Sequence, residues 1–205
     1  MLATEGEVAI YEGTDPADPD KFSLVGRYDL GGKPLGKNAW MRAGGDLLIA
    51  TLDGLVPLSQ VLNKDPAALS LAAVSRNIEP DWRTEAVARQ SIAWDMEKWD
   101  EENLAVVALP VVGSSTPART FIVNMETGAW SRFTGWDTRS LAVHSGALYY
   151  GTSAGKIMLA NSGGSDAGST YVCAMALHFD HMKRPGQFKT LKQARATFRG
   201  SKPFT

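Results

Sequence analysis

Cysteine is nearly missing from this chain: Cys173 is the only one in 205 residues. That excludes an internal disulfide and any multi-cysteine zinc site, and points to synthesis in a reducing cytoplasm. Neither sign of charge dominates, since 21 Lys and Arg stand against 22 Asp and Glu. The balance gives no support to a dedicated nucleic-acid binder, which carries a basic face. No stretch approaches the ~18 consecutive apolar residues of a membrane span. The opening Met1-Leu2-Ala3-Thr4-Glu5-Gly6-Glu7 has neither the basic start nor the apolar core of a signal peptide. Disorder is excluded as well, because the hydrophobic set reaches 44%.

What the chain does have is glycine and tryptophan, at 20 and 6 residues, a pairing that suits tight turns between aromatic-rich strands. Short apolar runs recur between Gly, Asn, Asp and Pro. Glu7–Glu12, Phe22–Tyr28, Asn38–Ala43, Asp46–Thr51 and Leu55–Ser59 read as strands, with Gly44-Gly45 and Asp53-Gly54 as hairpin turns. Asp65-Pro66 has the form of a helix start. Leu71, Val74 and Ile78 then share one helical face, and Trp82, Ala86 and Arg89 continue the spacing after Pro80. The expectation is two helices, about 66–77 and 80–90. Strands resume at Ser91–Trp94, Leu104–Leu109, Thr120–Asn124, Ala129–Phe133, Ser140–His144, Ala147–Gly151 and Lys156–Leu159. A Gly/Ser linker, 161–169, then leads to a terminal hairpin, Thr170–Asp180 and Thr190–Arg199.

An internal repeat organises these strands. Gly45–Ser59 aligns without gaps on Gly146–Ala160, 101 residues later, with five of fifteen positions identical. The offset fits two units of ~40–50 residues plus a helical insertion. A second correspondence sets Glu7–Gly13 and Phe22–Tyr28 beside Thr120–Asn124 and Ala129–Phe133. The predicted fold is all-β: antiparallel four-stranded blades of a partial β-propeller with a short two-helix insertion. Residues 1–160 would hold the blades, with the insertion at about 63–90, and 161–205 the linker and hairpin. About four blades fit, and the first starts mid-blade, so a larger ring completed by upstream sequence or another subunit is expected.

Three segments carry a family resemblance. Gly6–Gly13, Gly45–Ser59 and Asn124-Met125-Glu126-Thr127-Gly128-Ala129-Trp130-Ser131-Arg132-Phe133-Thr134-Gly135-Trp136 are similar to the C-terminal half of β-propeller tail proteins of short-tailed phages and prophages. These are the nozzle or hub, or packaged-DNA stabilisation, proteins. The resemblance implies a non-enzymatic virion tail component in a ring of its own copies, typically six-fold, around the DNA exit channel. It implies contacts with portal, adaptor and other tail proteins, an upstream half of the propeller as a further partner, and at most weak non-specific contact with channel DNA. The upstream half that the family carries is absent from this sequence.

No residue is assigned a catalytic, cofactor or metal role. His178-Phe179-Asp180-His181 places its two histidines on opposite faces of a strand. The acidic run Asp95, Glu97, Asp100, Glu101 and Glu102, beside Trp94, Met96 and Trp99, reads as a solvated loop. The alternative is a carbohydrate-active propeller using paired carboxylates; a protein-binding propeller is a third reading. Ser114-Ser115-Thr116 lacks a nucleophile elbow, His144 lacks triad partners, and Gly163-Gly164-Ser165 lacks the lysine of a phosphate loop. Cys173 reads as a buried thiol. Lys183, Arg184, Lys189, Lys192, Arg195, Arg199 and Lys202 form a basic stretch that could meet phosphates or an acidic subunit. Trp130 and Trp136 are expected to pack between blades, and the helical insertion is the expected subunit contact.

Overall fold

A computed structural model describes residues 2–4 and 6–163, together with 168, 169, 186–188 and 190. The chain divides into two units, Met1–Gly163 and Gly164–Thr205. Every sheet and helix described below belongs to the first unit. The linker beyond Gly163, the hairpin, Cys173, His178, His181 and the basic stretch fall outside the described residues, apart from isolated positions.

The protein is all-β, with four antiparallel blade-like sheets and few helices. The first sheet holds β1 (Leu2–Thr4), β2 (Glu7–Gly13) and β3 (Phe22–Asp29), in that order. The second holds β4 (Trp40–Ala43), β5 (Asp46–Thr51) and β6 (Gly54–Pro57). The third is four-stranded, ordered β7 (Asp95–Trp99), β8 (Leu104–Leu109), β9 (Arg119–Asn124) and β10 (Trp130–Thr134). The fourth holds β11 (Ser140–His144), β12 (Ala147–Gly151) and β13 (Ile157–Leu159). Each is a meander, but only the third reaches four strands among the described residues. After β6 the chain leaves the sheet for the helical insertion, so the second sheet gains no fourth strand from it.

The helical insertion differs from expectation in its first half. It begins earlier, at α1 (Leu58–Val61), and continues as a 3-10 turn, the single turn α2 (Leu69–Ala72) and another 3-10 turn, Arg76–Ile78. Leu71 and Val74 are exposed, whereas Leu69 and Ala73 are buried. A broken path cannot keep a 3.6-residue stripe in phase, so the predicted face does not form. The second helix, α3 (Glu79–Arg89), does keep phase: Trp82, Glu85, Ala86 and Arg89 are its buried residues. Pro80 sits in its first turn with Glu79 and Asp81, and Arg89 lies in its last, as the helix dipole favours.

Three apolar clusters join the sheets pairwise. Val8 and Leu30 from the first sheet's end of the chain meet Ile49 and Val56 of the second, sealed by Val61, Leu69 and Ala73. Met41, Leu48, Ala50 and Leu55 of the second meet Val107 and Phe121 of the third, with Trp82 and Ala86 between. Trp99, Val106 and Ile122 of the third meet Leu148 of the fourth. Strand alternation makes this stacking work: Leu48 and Ala50 face one neighbour while Ile49 faces the other. Val107 and Val106 divide in the same way. Trp130 packs in the second cluster and Trp136 in the third, where it stacks on Tyr150 at 5.0 Å.

The repeated segments occupy matching places. Arg42 pairs with Leu47, and Val143 pairs with Leu148, so the first hairpins share one register. The second hairpins are offset by one residue: Leu48 pairs with Pro57, but Tyr149 pairs with Leu159. The cause is the turn. Leu52-Asp53 closes the earlier hairpin directly after the Thr51–Gly54 pair, whereas Thr152 N–H reaches the Lys156 carbonyl at 2.9 Å around a longer loop.

Candidate functional site

The first strands of three successive sheets, β4, β7 and β11, lie side by side. A parallel bridge links Asn38, just before β4, to Asp95 at the start of β7. Side-by-side first strands leave an open groove of about 420 Å³ along β7. Asn38, Trp40, Arg42, Asp95, Glu97 and Lys98 are among the residues that line it.

The sequence predicts a loop where β7 stands. The acidic run in fact splits. Asp95, Met96 and Glu97 belong to the strand, while Asp100–Glu102 form a 3-10 turn closed by Asn103 in the left-handed region (φ 53°). Conversely, Ser91–Trp94, expected as a strand, forms no ladder. Trp94 N–H instead donates to the Leu35 carbonyl at 2.9 Å, and a Cβ at Gly36 would stand 2.8 Å from the Trp94 backbone. Bare glycine is what allows these two segments to touch.

Asp95 is the buried centre of the groove. Its Oδ1 accepts the Met96 N–H at 3.0 Å and its Oδ2 accepts the Leu141 N–H at 2.8 Å. A hydrogen bond from the Asn38 side chain completes its partners. One carboxylate thereby ties β7 to β11 and to the segment just before β4. Burial nevertheless pushes its pKa above the ordinary value, against those hydrogen bonds. Glu97 follows on the same strand face, and its pKa is also raised, by burial and then by the charge of Asp95. Lys98, also at the groove, pairs with Asp100 at 2.5 Å.

Paired carboxylates in a groove invite a comparison with glycoside chemistry, which needs one free nucleophile or base and one protonated acid. Both oxygens of Asp95 already accept backbone N–H groups. Trp94 and Trp99, the aromatics of the same run, are buried; Trp99 donates its indole N–H to the Gly146 carbonyl at 2.7 Å. Glu102 meets the Asn161 amide at 3.3 Å. The run therefore knits the third and fourth sheets. His144 ends β11 on an exposed face, and Ser114-Ser115-Thr116 lies in a loop. Among the described residues, no cluster of three or more His, Cys, Asp or Glu is placed to hold a metal ion.

A second buried polar group, which hydrophobic patterning alone does not reveal, lies on α3. Arg89, only 1% exposed, donates to Glu85 Oε2 at 2.7 Å and to the carbonyls of Leu109, Pro110 and Pro117 at 3.2, 3.0 and 2.8 Å. Glu85 Oε1 also accepts a hydrogen bond from Arg119. The Glu85-x-x-x-Arg89 spacing on the apolar face of α3 is the signal that could have found it. Burial raises the pKa of Glu85, but hydrogen bonds from Arg119 and Arg89, and their charges, outweigh that and leave it lowered.

No known protein-family model matches the chain, and no curated protein matches it either.

Proposed function

We propose that this chain is a structural component of a tailed-phage virion, part of the tail nozzle or hub that surrounds the DNA exit channel. Its copies would assemble in a ring and bind portal, adaptor and other tail proteins. The observation that supports this reading is the stack of four sheets whose end faces carry exposed apolar side chains, including Ile157 at 81% exposure. A wall built this way is stiff, because every internal sheet is clamped on both faces, and it offers surfaces for further assembly. The charges of the described surface are interspersed, as in Lys21–Asp18, Arg83–Asp53 and Arg132–Asp81. Mixed signs suit a conduit along which DNA slides and is held only weakly.

Mass spectrometry of purified virions, produced from the element that encodes the chain, tests the proposal. The protein is expected at a fixed copy number per particle, with antibody label at the tail vertex. Particles that lack it refute the proposal.

A further inference from the structure

The open face of the fourth sheet matches a covered face of the second. Through the shared hairpin register, Ala142 and Tyr149 stand where Met41 and Leu48 stand. Gly151 pairs with Ile157 as Ala50 pairs with Leu55. Met41, Leu48, Ala50 and Leu55 are all buried against the third sheet. Among the described residues no sheet covers their counterparts: Ala142 is exposed, Tyr149 and Gly151 are half-buried, and Ile157 is 81% exposed where Leu55 is fully buried. Ala142, His144, Tyr149 and Ile157 are among the residues that line a shallow, mostly apolar hollow of about 390 Å³.

Among the described residues the stack has one other open face, of the opposite sense. Val8 and Ile10 of β2 turn toward the second sheet, so Tyr11 turns away from it. Tyr11 pairs with Leu24 and stacks on Phe22 at 5.4 Å. Tyr11 and Leu24 are exposed, and so is Val25 at the bulge beside them.

We propose that these two faces meet between two copies of the chain. The β11–β13 face of one copy would cover the β2–β3 face of the next, continuing the blade-on-blade packing that joins the sheets within the chain. Because the two surfaces differ, the contact is head-to-tail, and such a contact makes a ring only if it closes. The count favours closure at two. Counting only the described residues, two copies bring eight sheets, the upper end of the ~4–8 blades that propellers use, and three copies would bring twelve. Packing alone carries this pairing, which stands or falls apart from any role in a virion.

Native mass spectrometry of the full chain tests it. The expected species is twice 22.1 kDa. Ile157→Lys and Leu24→Lys alter exposed positions on opposite faces, so far-ultraviolet circular dichroism and melting should match the parent. Each variant alone is expected to lose the dimer. Mixed together, they are expected to form a 1:1 pair through the one intact interface. A parent chain that stays monomeric at micromolar concentration overturns the proposal, and so does a monomer that pairs only with the product of an upstream frame. Loss of the dimer by Ile157→Lys but not by Leu24→Lys also overturns it, because that pattern means like faces meet.

Discussion

Arg89→Met removes the charge at the heart of the molecule while keeping most of the volume. The guanidinium donates to three backbone carbonyls and to Glu85, with its side chain 1% exposed. Removing one partner of a buried pair costs ~3–5 kcal/mol, mainly by stranding what remains. Here Arg119 still holds one oxygen of Glu85, so the stranded groups are chiefly the carbonyls of Leu109, Pro110 and Pro117. Of a total stability of ~5–15 kcal/mol, that loss is a large share. At ~2–4 °C per kcal/mol for a domain of this size, melting should fall by roughly 6–20 °C. Urea unfolding at neutral pH, read by tryptophan fluorescence and circular dichroism together, measures it. The Glu85→Gln, Arg89→Met double variant should cost less than the two singles added, by about 1 kcal/mol or more. Glu85 adds a pH signature. Its folded pKa lies below the ordinary 4.5, so its contribution is complete above that value and is lost as pH falls through the lowered one. Acid unfolding of Arg89→Met should begin at higher pH than in the parent. A loss below about 1 kcal/mol, with additive singles, refutes the clamp.

Other substitutions probe the joints between sheets. Trp82→Ala should cost ~3–5 kcal/mol, because the side chain is fully buried among Trp94, Phe121 and Trp130, and the Thr51 carbonyl loses the indole N–H that donates to it; chemical denaturation measures this. Asp95→Ala should cost ~2–4 kcal/mol by leaving the Met96 and Leu141 N–H groups unpaired, with faster hydrogen exchange at Leu141 as its local sign. Glu97 has a raised folded pKa, so its ionisation above the ordinary 4.5 subtracts from stability; Glu97→Gln should flatten the fall in melting temperature as pH rises from there. Gly54→Ala should destabilise by ~1–3 kcal/mol in a melting assay. The residue has φ of 144°, and a Cβ would stand 2.7 Å from that of Ala73.

The strands and turns were largely legible because they depend on local chemistry. The apolar runs of β5 and β12, and the glycines at their turns, mark both hairpins of the repeat. The one-residue offset in the later hairpin was not legible, since an ungapped match of fifteen residues hides a loop that grows by one. Asp95–Trp99 reads as a loop in the sequence because its charges suggest solvent. Asp95 is covered in part by Leu141, 46 positions later, which returns to donate a hydrogen bond to it. A partner so remote leaves no trace in a local window. The first half of the insertion failed for the opposite reason. Leu71, Val74 and Ile78 have helical spacing, but the path through residues 66–78 breaks into single turns, and packing buries Leu69 and Ala73 instead.

Each apolar cluster of the described residues bonds one sheet to the next, with none shared across the stack. Such an arrangement transmits disturbance the way a row of books does. A loosened outer volume slumps first, and the middle stays upright while either side still holds. Damage at one end should therefore fade along the row, and the third sheet, braced on both sides and pinned by Arg89, should be the last to let go.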